Sequence, residues 1–152
     1  VYIGENGEFL TASRNRWITP DDDNYGFSAW AHRNMEELLR LGPGWHRGEW
    51  WGAGIQKRYT IHDRRMWHLF NVSKWTDDAV RPACCGVVPV LATGMLHEAL
   101  DLAMRRLSLG SFVDPACERP EGVVVYHNAS GHLYKVLCEN DGVPKGLAGG
   151  GQ

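Results

Sequence analysis

Gly48-Glu49-Trp50-Trp51-Gly52, continuing through Gln56 and Tyr59 to Trp67-His68-Leu69-Phe70-Asn71-Val72, is the stretch on which the reading of this chain turns. An ordinary strand would carry Val or Thr where Glu49 stands, because β-branched side chains suit a half-buried pleated surface. A carboxylate between small and bulky apolar residues is either solvated on an exposed face or held in a cleft for its chemistry. In a regular strand Trp50 and Trp51 point to opposite faces, so one belongs to the core and the other is available to line a cleft.

The bulk properties narrow what surrounds that stretch. A chain of 152 residues, 43% hydrophobic and with seven Trp, makes one domain or two small lobes, burying roughly 68–70% of its unfolded surface. A formal charge of −2 argues against an extended basic face, so any nucleic acid would bind in a local groove. No apolar run approaches the roughly 18 residues of a membrane span, and there is no signal-peptide pattern, so a cytoplasmic protein without membrane partners is expected. Cys84, Cys85, Cys117 and Cys138 form no Cys-x-x-Cys pair. Free thiols in a reducing compartment are the expectation.

Before the central stretch, Gly4-Glu5-Asn6-Gly7 joins residues 1–3 to 9–12, and Asn-Gly predicts a hairpin. Pro20 and three Asp end the following strand. Asp23 or Asn24 can cap a helix over residues 27–41, where Phe27, Trp30, Ala31, Met35, Leu38 and Leu39 fit a helical period before Gly42-Pro43-Gly44. Residues 45–52 and 66–75 read as strands, separated by a loop with Lys57, Arg58, Arg64 and Arg65. Those cations either meet a phosphodiester backbone or are simply solvated. Residues 85–91 read as a buried strand. Residues 94–109 read as a helix striped by Leu96, Ala99, Leu100, Ala103 and Leu107. A second hairpin joins 122–126 to 132–138, and residues 147–152 form a flexible Gly-rich tail. The sum is an α+β chain.

Four charges fall inside or at the mouth of these strands: Arg14, Glu49, Glu121 and Lys135. Each either faces solvent or, because an unpaired buried charge is costly, shares a cleft with the others. Such a cleft suits a ligand with phosphates for the cations and hydroxyls or a metal for the carboxylates. His62, His68 and His97 share no spacing that would make a metal site.

The ordered set Ser13-Arg14, Gly48-Glu49-Trp50-Trp51-Gly52, Gly54-Ile55-Gln56, Leu69-Phe70-Asn71-Val72, Pro120-Glu121-Gly122-Val123-Val124-Val125, Tyr134-Lys135-Val136 and Glu139-Asn140-Asp141 resembles the phage-type RNA ligase family. That family belongs with DNA ligases and mRNA capping enzymes among the covalent nucleotidyltransferases. The resemblance spans residues 1–146 and implies a nucleotidyltransferase, ATP-grasp-like ligase core of antiparallel sheets flanked by helices. It implies ATP, with Mg²⁺ or Mn²⁺, and RNA, or else DNA, strand ends as partners. A lysine would attack the α-phosphate to form lysyl-AMP, the AMP would pass to a 5′-phosphate, and a 3′-hydroxyl would displace it.

Residue by residue, the resemblance makes Arg14 the contact to a phosphate or nicked end, with Arg16 the alternative if the register slips by two. It makes Glu49 the carboxylate on the ribose hydroxyls and Phe70 the aromatic stacked on adenine, a role compatible with core packing. Glu121 would support the divalent metal. Lys135 would meet the α-phosphate and neutralise charge as pyrophosphate leaves.

Two departures qualify that pattern. The nucleophile's Lys-x-Asp-Gly motif is absent: Lys57, Lys74, Lys135 and Lys145 each have other neighbours. The motif is expected just upstream of Val1, which would make residues 1–146 an N-terminally truncated adenylation domain unable to self-adenylylate. The last motif carries one lysine where the family often has two, and Lys135 is flanked at that spacing by Leu133 and Leu137. Phosphate neutralisation would then lean on Arg14, Lys57 or the metal. The competing expectations are a non-catalytic nucleotide- or nucleic-acid-binding module, and a DNA-ligase or capping-type transferase.

Overall fold

Asn6-Gly7 turns the chain where the sequence says it should. Gly7 takes φ 84°, and Tyr2–Ile3 (β1) pairs antiparallel with Phe9–Ala12 (β2), Tyr2 opposite Leu10 and Ile3 opposite Phe9. The protein is described here by a computed structural model over residues 1–55 and 59–138. Trp17–Ile18 (β3) adds to β2 and Gly44–Trp45 (β4) adds to β1, giving a sheet of order β3-β2-β1-β4.

The helix expected over residues 27–41 is two helices, Phe27–Arg33 (α1) and Met35–Leu39 (α2). Asn34 interrupts them with φ −107°, and its Nδ2 donates to the Trp30 carbonyl at 2.8 Å. An Asn side chain that bonds backbone groups competes with the helix ladder. Gly26, not Asp23 or Asn24, holds the N-cap position of α1, with φ 72°. The Asp23 carboxylate accepts the Ser28 and Ala29 amides of the first turn from outside the helix, at 2.8 and 2.9 Å. Burial pushes the Asp23 carboxyl up, but the amides of Ala29, Ser28 and Asn24 outweigh it and hold it below its ordinary range.

Gly48–Gly52 (β5) and Arg65–Leu69 (β6) pair antiparallel with Glu49 opposite His68, Trp50 opposite Trp67 and Trp51 opposite Met66. The expected strand 66–75 stops at Leu69, because the Asn71 side chain accepts the Lys74 amide and caps a short helix, Val72–Trp75 (α3). The expected strand 85–91 is only Cys85–Val87 (β7), since Pro89 has no N–H to continue a ladder. β7 runs parallel to β6, so the sheets are not all antiparallel as the ligase resemblance implies. α3 and the loop after it supply the crossover that a parallel pair needs.

The chain divides into two compact units. One comprises residues 1–57 and 61–89 and the other residues 58–60 and 90–152. The first has a core of Val1, Ile3, Ile18, Phe27, Ala31, Leu38, Leu41, Trp67, Leu69, Trp75 and Cys85. The second packs Leu96–Leu107 (α4) on the antiparallel hairpin of Gly122–His127 (β8) and His132–Leu137 (β9), through Ala103, Leu107 and Val123. Within it Asp114 is buried and accepts the Thr60 amide at 2.6 Å and hydroxyl at 2.9 Å. The architecture is α+β. Among the described residues no helix is long and apolar enough to cross a membrane. The tail at 147–152, Gln56, Lys57, Arg58, the Glu139-Asn140-Asp141 run and Lys145 lie outside the described residues.

Candidate functional site

Strand pairing decides what Glu49 faces. Paired residues share a face of a sheet, so Glu49 lies beside His68, and His68 beside Gly86 on β7. The Phe70 amide still donates to the Arg47 carbonyl at 2.9 Å, which carries the β5–β6 ladder one step past Leu69. The period of two then places Phe70 on the face of Glu49 and His68. Glu49, His68 and Phe70 are all half-buried.

His68 is the member of this group that sequence reasoning weighed only as a metal ligand and set aside. Its ring packs edge-on against Trp51, centroids 5.2 Å apart, and a Cβ at Gly86 would collide with its Cδ2 and Nε2. Gly86 is therefore a flat floor under an imidazole. Burial, and secondarily the Arg81 charge, push the His68 pKa below its ordinary value, so the neutral ring is favoured. Its Nδ1 is buried without a hydrogen-bond partner among the described residues, and such orphaned polar atoms are uncommon. The sequence clue to this arrangement was the spacing of His68 and Phe70, two apart and hence on one face.

Trp51 is buried on the Glu49 face while Trp50 takes the other. Trp50 packs on Trp30, centroids 5.0 Å apart, and its Nε1 donates to the Tyr25 carbonyl at 3.0 Å. Together they line a groove of about 540 Å³ with Arg33, Asp63, Arg64 and Arg65. Arg65 is bound into the fold, donating to the Ala53 and Tyr25 carbonyls at 2.7 Å each. Trp50 thus lines a groove on the opposite side of β5 from Glu49, rather than the cleft beside that carboxylate.

Arg14 is exposed in the β2–β3 turn, and its side chain makes no hydrogen bond or ion pair among the described residues. Arg16 is committed to its own loop, with Nη1 2.5 Å from Asp22 Oδ2. The first unit therefore puts Glu49 and Phe70 on one sheet face and leaves Arg14 in a turn.

The second unit brings Glu121 and Lys135 together. Lys135 Nζ lies 2.8 Å from Glu121 Oε1. Lys135 stands opposite Val124 on the hairpin, so Glu121, three residues earlier, would face the other side of a regular strand. Gly122 breaks that alternation with φ 157° and a backbone approach to the Val136 carbonyl that a Cβ would block. The pair is half-exposed, at 35% for Lys135 and 49% for Glu121.

Among the described residues no disulfide joins Cys84, Cys85, Cys117 or Cys138. Cys84 and Cys85 share a thiol contact at 3.8 Å, which lowers the Cys84 pKa and raises that of Cys85, the latter further raised by burial. Among the described residues no group of three or more His, Cys, Asp and Glu is placed to hold a metal. No family model matches this chain, and neither does any curated protein or any solved structure.

Proposed function

We propose that this chain carries the nucleotide-holding part of an ATP-dependent RNA ligase. The reading rests most on one arrangement: Glu49 half-buried in a sheet wall, with His68 across from it and Phe70 farther along the same face. A carboxylate and an aromatic ring on one face can accept two ribose hydroxyls and stack on a base.

The second unit, taken by itself, offers a phosphate contact: Lys135 would exchange its Glu121 partner for a phosphate oxygen. Glu121, freed of the lysine, is one carboxylate for Mg²⁺ or Mn²⁺. One carboxylate fits such an ion when the remaining ligands are phosphate oxygens and water, the usual arrangement for magnesium on a nucleotide. Bound there, the ion would withdraw charge from the phosphates. The amine that attacks the α-phosphate is not among these residues, because no lysine of the chain stands in a Lys-x-Asp-Gly setting. That absence also favours a second reading, a module that binds nucleotide or nucleic acid without catalysis.

The chain should bind ATP with Mg²⁺ non-covalently, and isothermal titration calorimetry reads this directly. Phe70→Ala should weaken binding by about 5- to 150-fold, as a lost stacking contact of roughly 1–3 kcal/mol implies, and Glu49→Gln should weaken it as well. Radiolabelled ATP should leave no covalent label on this chain, and a label would refute the placement of the nucleophile outside it. Binding of GTP in place of ATP would turn the reading to a capping-type enzyme. No binding of either nucleotide would sink it. Nicked RNA against nicked DNA then separates the ligases, in a protein that bears the nucleophile.

A further inference from the structure

We propose that the outer face of the β3-β2-β1-β4 sheet is a stacking platform for single-stranded RNA, separate from the Glu49 face. Strand pairing sorts this small sheet into two sides. Ile3, Thr11 and Ile18 point inward and are buried. Tyr2, Leu10, Ala12, Trp17 and Trp45 share the opposite side, since Tyr2 pairs with both Leu10 and Trp45 and Ala12 pairs with Trp17.

That outer side is aromatic and open. Trp17 is 53% exposed and Trp45 49% exposed, yet their rings stack with centroids 5.3 Å apart and planes 26° apart. Tyr2 extends the row, 5.2 Å from Trp45. Two half-exposed tryptophans stacked on a sheet face are a costly surface to leave in water. Cations flank it at both edges. The Arg47 guanidinium stands 5.8 Å from the centre of the Trp45 ring, and Arg14 is exposed in the turn that leads into Trp17. Neither guanidinium is ion-paired among the described residues.

Size and charge decide the occupant. Four strands spaced about 4.8 Å apart and two to four residues long present a face of roughly 150–200 Å². A stable protein interface takes about 800 Å² from each partner, so this face is too small to join two copies of the chain. It matches two or three unstacked bases, with phosphates reaching arginines at the rim. Stacking on indole tolerates any base, so little sequence preference is expected. The choice of RNA over DNA rests on the ligase reading; the platform itself does not.

The test is fluorescence anisotropy of a labelled eight-nucleotide oligouridine RNA with this chain at about 50 mM salt. Trp17→Ala and Trp45→Ala should each weaken binding by about 5- to 150-fold, the range for losing one stacked base. Trp17→Phe and Trp45→Phe should restore much of it. Arg47→Ala should reduce the slope of log affinity against log salt by about 0.7, one phosphate contact to a single strand. A Trp17→Ala/Trp45→Ala variant that keeps its circular dichroism and melting point and binds RNA within twofold of the parent overturns the proposal. So does failure of the parent to bind RNA, or a dimer by light scattering that the double variant dissolves without any change in RNA affinity. Calorimetry with ATP keeps the two readings apart. RNA binding through the tryptophans without ATP binding sinks the ligase and keeps the platform, while ATP binding with indifferent tryptophans does the reverse.

Discussion

The two units set their charged residues in different surroundings, a three-stranded sheet in one and a two-stranded hairpin in the other. Glu49 sits in a sheet wall, where the register of β5, β6 and β7 sets His68 beside it and Gly86 on the far side of His68. Lys135 stands on an open two-stranded hairpin and is held by a partner, Glu121, reached through one twisted glycine. A side chain placed by register is positioned by every residue packed beneath the sheet. One placed by an ion pair depends on that pair and is free to leave it for a ligand. Disturbing the core should therefore damage the first group, and disturbing the surface should release the second.

The strongest break comes from Trp67→Ala. Trp67 is 2% exposed and touches Phe27 and Trp30, with ring centroids 5.5 and 6.0 Å away. A truncation of this kind costs about 3–5 kcal/mol. Val123→Ala, the matching cut in the second unit's smaller core, should cost about 1.6 kcal/mol at ~0.8 kcal/mol per methylene-sized group. Hydrogen exchange resolves the two: Trp67→Ala should strip protection from the β5 and β6 amides and spare those of β8 and β9. Equal losses in both places would dissolve the contrast.

Gly86→Ala is next. A Cβ there meets the His68 ring, and overpacking of this kind typically costs 1–3 kcal/mol. If the ring is the obstacle, adding His68→Ala should recover at least about 0.5 kcal/mol in a double-mutant cycle followed by urea unfolding. Strict additivity would mean that the glycine serves some other purpose.

Much of this was readable in the chain, and the misreadings have physical causes. Asn-Gly specified the first hairpin, and the stripe on residues 94–109 specified α4, because both are local patterns. The period of two correctly divided Trp50 from Trp51. It could not reveal that Trp50 looks into a groove beside α1, because that depends on which helix packs under β5. Asn34 and Asn71 were the costly omissions. Each bonds nearby backbone through its side chain, one splitting a helix and the other turning an expected strand into α3. The roles given to Glu49, Phe70, Glu121 and Lys135 came from the resemblance. Strand pairing then puts Glu49 and Phe70 on one face, while Glu121 meets Lys135 only through the irregularity at Gly122, against what hairpin register predicts. The spacing of His68 and Phe70 hinted at a shared face, but the Gly86 contact beneath the ring comes from a parallel pairing that no local pattern announces.

Acid gives a smaller, graded effect that also separates the regions. Burial lowers the pKa of His68 and, despite a hydrogen bond to the Gly42 carbonyl that opposes it, that of His46 as well. Both are in the first unit. The folded chain therefore binds fewer protons than the unfolded chain between the depressed values and the ordinary 6.5. Stability is full above about pH 6.5 and is lost as pH falls toward the folded-state values. His68→Phe should flatten that dependence, measured as melting temperature from pH 7.5 to 5. An unchanged slope in both His68→Phe and His46→Phe would show that neither ring is protected by the fold.

The smallest stability change should come from the hairpin pair, and its smallness is informative. Both partners remain in contact with solvent, and such pairs contribute about 0–1 kcal/mol. Lys135→Met and Glu121→Gln should each alter unfolding free energy by less than about 1 kcal/mol. Their effects on ATP should diverge. Lys135→Met removes a phosphate contact and should weaken binding at any Mg²⁺ concentration, whereas Glu121→Gln should weaken it only where Mg²⁺ is limiting. A loss above about 2 kcal/mol in stability for either variant, with ATP affinity unmoved, would make the pair a structural clasp. In that case the hairpin would owe its charges to folding instead of to a ligand.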